Sequence, residues 1–298
     1  ILCYAICIFF TYFPNLGDLT MKILRKTAAV ILCFILIAAL FPTPEFSAAD
    51  GELIDGVSYK IDGDHAVVTS CSGTATEITI LSEYNGYPVT NIENWAFFYH
   101  EELSSVTIPD SVIQIGNAAF YGCSRLAKIT IPNSVTSIGE QAFLGCSNLT
   151  NITIPNSVTS IQYETFYACS GLKNVTIPDS ITSIAASAFY GCSQLTRIAM
   201  PNSVTFIGNA AFYGCTNLSD ITIPSGISGI WCDVFHGCSG LTNITIPRNI
   251  TSIGDGAFSD CSGLTNITIP DSVTSIGEEA FSGCSKLTSI IIPDSVTR

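Results

Sequence analysis

Apolar residues recur along most of the chain in a fixed pattern whose period is 23 residues. Each unit reads L-x-x-I-x-I-P-x-x-V-x-x-I-G-x-x-A-F-x-x-C, and nine whole units fill 86–292 before a stub at 293–298. The same phase is kept by nine phenylalanines: Phe97, Phe120, Phe143, Phe166, Phe189, Phe212, Phe235, Phe258 and Phe281. Self-similarity at this period predicts a solenoid in which each unit forms one coil.

Within one unit the pattern predicts two short strands. Ile152 and Ile154 flank Thr153, so the first strand points two apolar side chains inward and its threonine outward. Pro155 ends that strand because proline has no N–H to donate, and 158–161 forms a second extended piece that returns to the core. In five units a glycine follows, where we expect a backbone turn that other residues resist: Gly116, Gly139, Gly208, Gly254 and Gly277.

A single unit buries too little apolar surface to fold alone, so the coils must stack on one another. Ahead of the repeats, 57–61 and 66–69 alternate like strands around a turn at 62–64, which predicts a β-hairpin. We expect 50–85 to form an N-terminal cap on the first coil of a solenoid that spans 86–298. The stub at the C-terminus predicts a truncated gene product, because an uncovered apolar coil is an aggregation hazard.

The N-terminal region has the features of a targeting segment. After Met21, three basic residues precede an apolar run of about fourteen residues, shorter than the ~20 that a spanning helix needs, and small residues end at Ala49. This predicts a signal peptide over 21–49, cleaved after Ala49, with an uncut membrane anchor as the alternative. Segment 1–20 has no basic lead-in and is interpreted as upstream or mis-started sequence, with a membrane hairpin as the competing explanation.

Composition and charge exclude several classes of protein. With 47% apolar residues the chain has enough material for a large core, and a net charge of −13 opposes binding to a phosphate backbone, so nucleic acid is not expected as a partner. The histidines His65, His100 and His236 have no repeated carboxylate or nucleophile partner at a fixed spacing. No cysteine pair has zinc spacing. We therefore expect no catalytic residue, no metal site and no cofactor.

Eight cysteines keep the 23-residue period, and His100 takes their position in the first unit. They are Cys123, Cys146, Cys169, Cys192, Cys215, Cys238, Cys261 and Cys284. Neighbouring coils lie ~4.8 Å apart with parallel Cα–Cβ vectors, whereas a disulfide needs its two Cβ atoms ~3.8 Å apart and inclined together. The cysteines are therefore predicted to be buried thiols that fill a small apolar space.

The repeat strings resemble a known family. Sequences such as IPDSVTSIGEEAFSGCSKLTSI, at 269–290, are similar to the BspA-like leucine-rich repeats, also described as the Treponema-type repeat. The resemblance implies a β-rich, right-handed leucine-rich-repeat solenoid with a parallel sheet and little helix. It also implies a cell-surface protein associated with adhesion to host or matrix proteins and to other cells.

Two surfaces are candidates for binding. The first is a stripe at the outward strand position, roughly 45 Å long if nine strands stack at ~5 Å. Its candidate contact residues are Thr130, Thr153, Thr176, Thr222 and Thr245. The stripe is either a broad, shallow binding face or a solvated sheet surface selected for β-propensity.

The second candidate is the position directly after the core phenylalanine, where most of the aromatic side chains fall in the N-terminal two-thirds of the repeats. Its candidate residues are Tyr121, Tyr167, Tyr190 and Tyr213, and Trp231 replaces the turn glycine near the end of this series. If the position points outward, the rings form an amphipathic strip of the kind that interfaces favour. The alternative is that the rings shield the edge of the coils.

These observations predict a non-enzymatic protein that is secreted through a signal peptide or displayed on the cell surface. We expect it to mediate adhesion or protein–protein interaction with a host, matrix or other cell-surface protein, or with a glycan. Contact with a membrane is expected only through the signal or anchor segment. The alternatives are a passive stalk or scaffold and the non-catalytic portion of a larger secreted enzyme.

Overall fold

The structure, a computed structural model, describes residues 53–297, so the predictions for 1–20 and 21–49 fall outside the described residues. The described part contains twenty-one β-strands and no helix, and hence no helix long and apolar enough to cross a membrane. The strands are Val57–Asp62 (β1), His65–Cys71 (β2), Glu77–Thr79 (β3), Glu83–Tyr84 (β4), Tyr87–Ile92 (β5), Ser105–Thr107 (β6), Gln114–Ile115 (β7), Lys128–Thr130 (β8), Ser137–Ile138 (β9), Asn151–Thr153 (β10), Ser160–Ile161 (β11), Asn174–Thr176 (β12), Ser183–Ile184 (β13), Arg197–Ile198 (β14), Phe206–Ile207 (β15), Asp220–Ile221 (β16), Gly229–Ile230 (β17), Asn243–Thr245 (β18), Ser252–Ile253 (β19), Asn266–Thr268 (β20) and Ser275–Ile276 (β21).

Two parallel ladders run along the solenoid, one for each of the two strands in a unit. The first ladder joins β3, β6 and β8, then β10 with β12, β14 with β16, and β18 with β20. The second ladder joins β2, β5, β7 and β9, then β11, β13 and β15, and finally β17, β19 and β21. Residues one period apart lie opposite each other, as Ile152 does to Val175 and Ile161 to Ile184. The predicted β-rich leucine-rich-repeat solenoid with two short strands per unit is confirmed.

The predicted N-terminal hairpin is present and is continuous with the second ladder. Strands β1 and β2 pair antiparallel, with Asp62 opposite His65 at the turn. Strand β2 then pairs parallel with β5, which attaches the hairpin to the second ladder. Strand β3 pairs parallel with β6, with Ile78 opposite Val106, so the first ladder already begins ahead of residue 86.

The third side of each coil, called the turn side below, runs from the end of the second-ladder strand to the leucine, as in 162–172. Its alternate backbone N–H groups donate to the next coil, for example from Phe166 to the carbonyl of Ala188 at 2.9 Å and from Ala168 to that of Tyr190 at 2.7 Å. Between these bonds the backbone reaches left-handed φ values, 54° at Glu164 and 55° at Ala168. The turn side is therefore a stack of tight turns rather than a third strand.

Glycine was expected to allow a backbone turn at five positions, and this explanation is wrong. The positions are Gly116, Gly139, Gly208, Gly254 and Gly277. The left-handed residues of the same units come two and six positions later, and these five glycines are not among them. A Cβ added to Gly208 would lie 2.4 Å from the backbone N of Ala186, and one added to Gly139 would lie 2.5 Å from that of Asn117. Glycine at these positions permits a close approach of neighbouring coils, which a residue-by-residue view of the backbone does not reveal.

The core is a column of repeated side chains. The phenylalanines named above stack on one another; Phe189 lies between Phe166 and Phe212 with ring centroids 5.4 and 5.5 Å away. The thiol of Cys192 donates to the carbonyl of Phe166 at 3.2 Å, and the other seven periodic thiols make the same bond over 3.0–3.2 Å. All eight are free thiols, as predicted, and the hydrogen bond explains the position better than volume alone.

Candidate interaction surface

Three tyrosines and one histidine form a continuous stack on the turn side, called the tyrosine strip below. The ring centroids of Tyr167 and Tyr190, and those of Tyr190 and Tyr213, are 4.5 Å apart with interplanar angles of 8° and 5°. His236 continues the stack at 4.3 Å from Tyr213. All four side chains are half-buried, because stacked rings cover Tyr190 and Tyr213 on both faces and cover the two end members on one face. The strip therefore offers ring edges and hydroxyl groups to solvent rather than ring faces.

Carboxylates lie at both ends of the tyrosine strip. His236 Nδ1 lies 3.2 Å from an oxygen of Asp233, and its Nε2 lies 3.5 Å from an oxygen of Asp260. At the other end, the side-chain amide of Gln141 donates to Glu164 at 2.7 Å. Glu164 and Asp233 come three residues before the ring position of their units, and Asp260 comes one residue after it. The turn therefore places these carboxylates beside the strip.

The tyrosine hydroxyls have pKa values above their ordinary range. Burial is the main cause at Tyr167, Tyr190 and Tyr213, and the negative charges of Glu164 and Asp233 act in the same direction. The phenols are therefore protonated at neutral pH, and the hydroxyls of neighbouring coils also interact with one another.

Tyr121 lies apart from the strip, because Leu144 occupies the intervening coil. Its ring instead packs at 5.0 Å from Phe98 and 5.3 Å from Tyr99. Burial raises the pKa of Tyr121 to about 12, with a contribution from Tyr99 and Glu164. The sequence pattern placed this tyrosine in the same series, whereas the structure brings it together with the first coil.

Trp231 is also separate from the tyrosine strip. It directly follows β17, a strand of the second ladder, and packs against Phe206, the first residue of β15, at a centroid distance of 6.3 Å. The two rings are 47% and 45% exposed, so they form a small apolar patch beside the second ladder. Phe206 was not expected from the sequence, because it replaces a serine of the second strand and belongs to no periodic aromatic series.

The threonine stripe lies on the first ladder, a different side of the coil from the tyrosines. Adjacent threonines pair in register, as Thr153 does with Thr176 and Thr245 with Thr268. Each is exposed while the flanking isoleucine or valine residues are buried, which confirms the predicted direction of these side chains. The candidate residues are Thr130, Thr153, Thr176, Thr222 and Thr245.

Charge is distributed unevenly between the sides of the solenoid. The turn-side segments of the nine units contain ten acidic and two basic residues, whereas the remainder of 86–298 contains five of each. The acids are Glu93, Glu101, Glu102, Glu140, Glu164, Asp233, Asp255, Asp260, Glu278 and Glu279, and the bases are Arg125 and Lys286. The turn side therefore has a negative field that favours a positively charged partner.

The interior offers little chemistry. Burial raises the pKa of Cys123, Cys169 and Cys215 from 9.0 to about 12, which keeps these thiols protonated and unreactive at neutral pH. His100 takes the thiol position in the first unit and places its Nε2 2.5 Å from the carbonyl of Ser72. Among residues 53–297, no three His, Cys, Asp or Glu side chains are arranged to hold a metal ion.

Comparison with known proteins agrees with this architecture. The family model for the BspA type leucine-rich repeat region, in six copies, matches 90–218 and 182–298. A leucine-rich repeat protein of T. pallidum is 28% identical, with 72% of this chain and 91% of that chain covered and a TM-score of 0.52. A leucine-rich cell surface protein of Faecalibacterium prausnitzii A2-165 is 29% identical over 79% and 92% of the two chains, with a TM-score of 0.37.

The pneumococcal vaccine antigen PcpA is 19% identical, with 82% of this chain and 70% of that chain covered and a TM-score of 0.60, a likeness of fold alone. No match was found among curated proteins. The stacked parallel coils and the repeat motif define the class as a leucine-rich-repeat solenoid. Since the family model covers well over half of the sequence, the chain belongs to the BspA type leucine-rich repeat family.

Proposed function

We propose that this chain is a secreted or cell-surface module for adhesion, which binds a host, matrix or other cell-surface protein through its turn side. The observation that carries the proposal is the tyrosine strip. Its rings lie outside the phenylalanine column, are half-exposed, and are bordered by the carboxylates of Glu164, Asp233 and Asp260. Ordered aromatic groups with polar tips are the side chains that protein interfaces prefer.

The solenoid supports such a contact because it holds the strip rigid. Backbone bonds between coils and ring stacking fix the tyrosines before a partner arrives. Little side-chain entropy is then lost on binding, and more of the contact energy appears as affinity. A repeated, extended surface of this kind is also how other solenoids engage large partners.

The proposed location rests on the predicted signal peptide at 21–49 and on similarity to another leucine-rich repeat protein. The similar F. prausnitzii protein is described as a cell surface protein.

Binding through the threonine stripe is the second candidate, supported by its in-register, exposed hydroxyls. The acidic turn side is preferred because it combines charge with aromatic groups, whereas the stripe is neutral and lies among equal numbers of acids and bases.

A triple substitution tests the tyrosine strip. In Tyr167→Phe/Tyr190→Phe/Tyr213→Phe the ring stack is retained, and three hydroxyls worth about 0.5–1.5 kcal/mol each are lost from the contact. We expect binding to cultured epithelial cells or immobilised matrix proteins to weaken at least tenfold, with the melting temperature almost unchanged.

The predicted signal peptide is tested by export. When the chain is produced from Met21 in a bacterial host, the exported form should begin at Asp50.

Tyr87→Phe is the matched control, because Tyr87 is an exposed tyrosine of β5 outside the strip. This variant should bind like the unaltered chain. Undiminished binding of the triple variant would show that the strip is only architectural. Retention of Met21 in a membrane fraction would contradict the cleaved signal peptide.

A further inference from the structure

The rings of Phe98, Tyr99 and Tyr121 pack together on the first two coils, and Trp95 lies four residues before Tyr99 on the same turn. These four residues are called the N-terminal aromatic patch below. Phe98 meets Tyr99 edge-on, with centroids 4.7 Å apart and an interplanar angle of 88°. Tyr121 of the next coil is tilted by 53° relative to Tyr99. Unlike the rings of the tyrosine strip, the rings of Phe98, Tyr99 and Tyr121 are not stacked parallel to one another. Trp95 is 46% exposed and Tyr99 is 55% exposed.

The backbone holds two of these rings in an unfavourable conformation. Trp95 and Tyr99 have left-handed φ values of 61° and 54°. The position of Tyr99 is glycine in six later coils: Gly122, Gly145, Gly191, Gly214, Gly237 and Gly283. A bulky side chain at positive φ costs free energy, and exposing its ring to water yields little in return. The fold would accept glycine here, so the aromatic group needs another explanation.

The neighbouring coil is adapted to the ring of Tyr99. A Cβ added to Gly122 would lie 2.8 Å from Cδ1 of Tyr99, so the ring rests directly over this glycine. At the equivalent Gly145 an added Cβ would lie no closer than 3.6 Å to its nearest neighbour, the Cα of Gly122. The absence of a side chain at Gly122 therefore supports the orientation of Tyr99.

The charges around the patch indicate the kind of group that it accepts. The turn side of the first unit contains Glu93, Glu101 and Glu102 and no basic residue. Arg125 of the next coil forms an ion pair with Glu102, so a guanidinium group already occupies this border in the folded chain. An exposed ring face attracts a cation through its quadrupole, and a nearby carboxylate adds a second favourable contact.

We infer that the N-terminal aromatic patch binds an arginine- or lysine-rich segment of a partner protein. A guanidinium or ammonium group lies over the face of Trp95 or Tyr99, while a neighbouring basic residue pairs with Glu101. This inference rests on the proposed adhesive function and names the chemistry of one contact in it. A neutral sugar also stacks on open rings and donates hydroxyl hydrogen bonds to carboxylates, but only a cation also gains from the net negative charge around them.

The test uses the full chain and a defined probe, a labelled peptide of alternating arginine and glycine. Gly122→Ala and Gly145→Ala both place alanine at positive φ, a conformation that Ala168 adopts at the same position of another coil. Only Gly122→Ala collides with the ring of Tyr99. We expect it to weaken peptide binding roughly tenfold, the size of a cation–π contact, while Gly145→Ala leaves binding unchanged.

Two further comparisons separate the patch from the overall charge of −13. Trp95→Ala keeps the charge, and Ala118 shows that the position accepts alanine at φ 51°; we expect a loss similar to that of Gly122→Ala. Glu101→Gln and Asp271→Asn each remove one exposed carboxylate, but only the first lies beside the patch. Glu101→Gln should weaken binding a few-fold, and Asp271→Asn should have no effect.

Equal peptide binding by Gly122→Ala, Gly145→Ala and the unaltered chain would overturn the inference. So would binding of the neutral sugar maltohexaose without binding of the arginine peptide. Adhesion to cells that depends on the tyrosine strip, combined with no affinity for the peptide, would overturn the inference and leave the proposed function standing. If the unaltered chain adheres to neither cells nor matrix proteins, the proposed function is rejected instead.

Discussion

Phe189→Ala should lower the free energy of unfolding by about 4 kcal/mol, because it removes a fully buried ring and leaves a cavity. The ring lies between Phe166 and Phe212, so two stacked contacts are lost, each contributing about 0.5–1.5 kcal/mol beyond the burial of area. The cavity lies in the middle of the column, where neighbouring coils are held in register by both ladders and relax little. Urea unfolding followed by circular dichroism measures the change.

Phe281→Ala is the matched control at the end of the column. Phe281 stacks on only one ring, that of Phe258 at 5.5 Å, and is half-buried. We expect its replacement to cost about half as much as the central substitution. Equal losses at the two positions would show that stability does not depend on stacking between coils.

The chain should unfold cooperatively in alkali, at about pH 10–11, because its thiol column resists ionisation. Burial raises the pKa of Cys123, Cys169 and Cys215 from 9.0 to about 12, and the pKa of the other periodic cysteines is raised in the same direction. The folded state therefore holds more protons than the unfolded state above pH 9. Stability is fully present below pH 9 and is lost as the pH rises towards 12, by about 1.4 kcal/mol per pH unit for each thiol.

Serine replacements identify the source of this pH dependence. Cys169→Ser/Cys192→Ser/Cys215→Ser keeps a donor for the phenylalanine carbonyls but removes three groups that titrate in this range. The slope of unfolding free energy against pH, measured between pH 9 and 10, should become less steep by about 3 kcal/mol per pH unit, because unfolded thiols are still partly protonated in this range. An unchanged slope would show that tyrosine ionisation, rather than the thiols, causes the alkaline transition.

The repeat made most of the fold predictable. A strict period assigns each position to one environment in every coil, so Ile152, Phe166 and Cys169 could be placed in the core and Thr153 outside. The hairpin at 57–71 was also predictable, because its alternation and its glycine turn are local signals. Stacking then follows from the inability of one unit to fold alone.

Features that depend on contacts between coils could not be read in the same way. The requirement for glycine at Gly208 comes from the backbone of Ala186 one coil away, and a φ preference does not encode it. The thiol bond from Cys192 to Phe166 likewise joins residues 26 positions apart. Nor does the period show that Tyr121 packs on Phe98 and Tyr99, or that Trp231 packs on Phe206.

The exceptions to the repeat were the most informative signal for the candidate surfaces. Tyr99 departs from a position that is usually glycine, and this departure was visible in the sequence. Its meaning was not, because the left-handed conformation and the fit over Gly122 emerge only when the coils are stacked. Aromatic residues at positions where a repeat otherwise keeps glycine therefore merit substitution tests.

A competition experiment tests most directly whether the turn side carries the binding contact. Labelled chain bound to cells or matrix is displaced with unlabelled variants, one altered at Tyr167, Tyr190 and Tyr213 to Phe and the other at Thr153 and Thr176 to Val. We predict that the threonine variant competes as well as the unaltered chain, whereas the tyrosine variant needs at least a tenfold higher concentration. Full competition by the tyrosine variant with loss of competition by the threonine variant would contradict the account and place the contact on the first ladder.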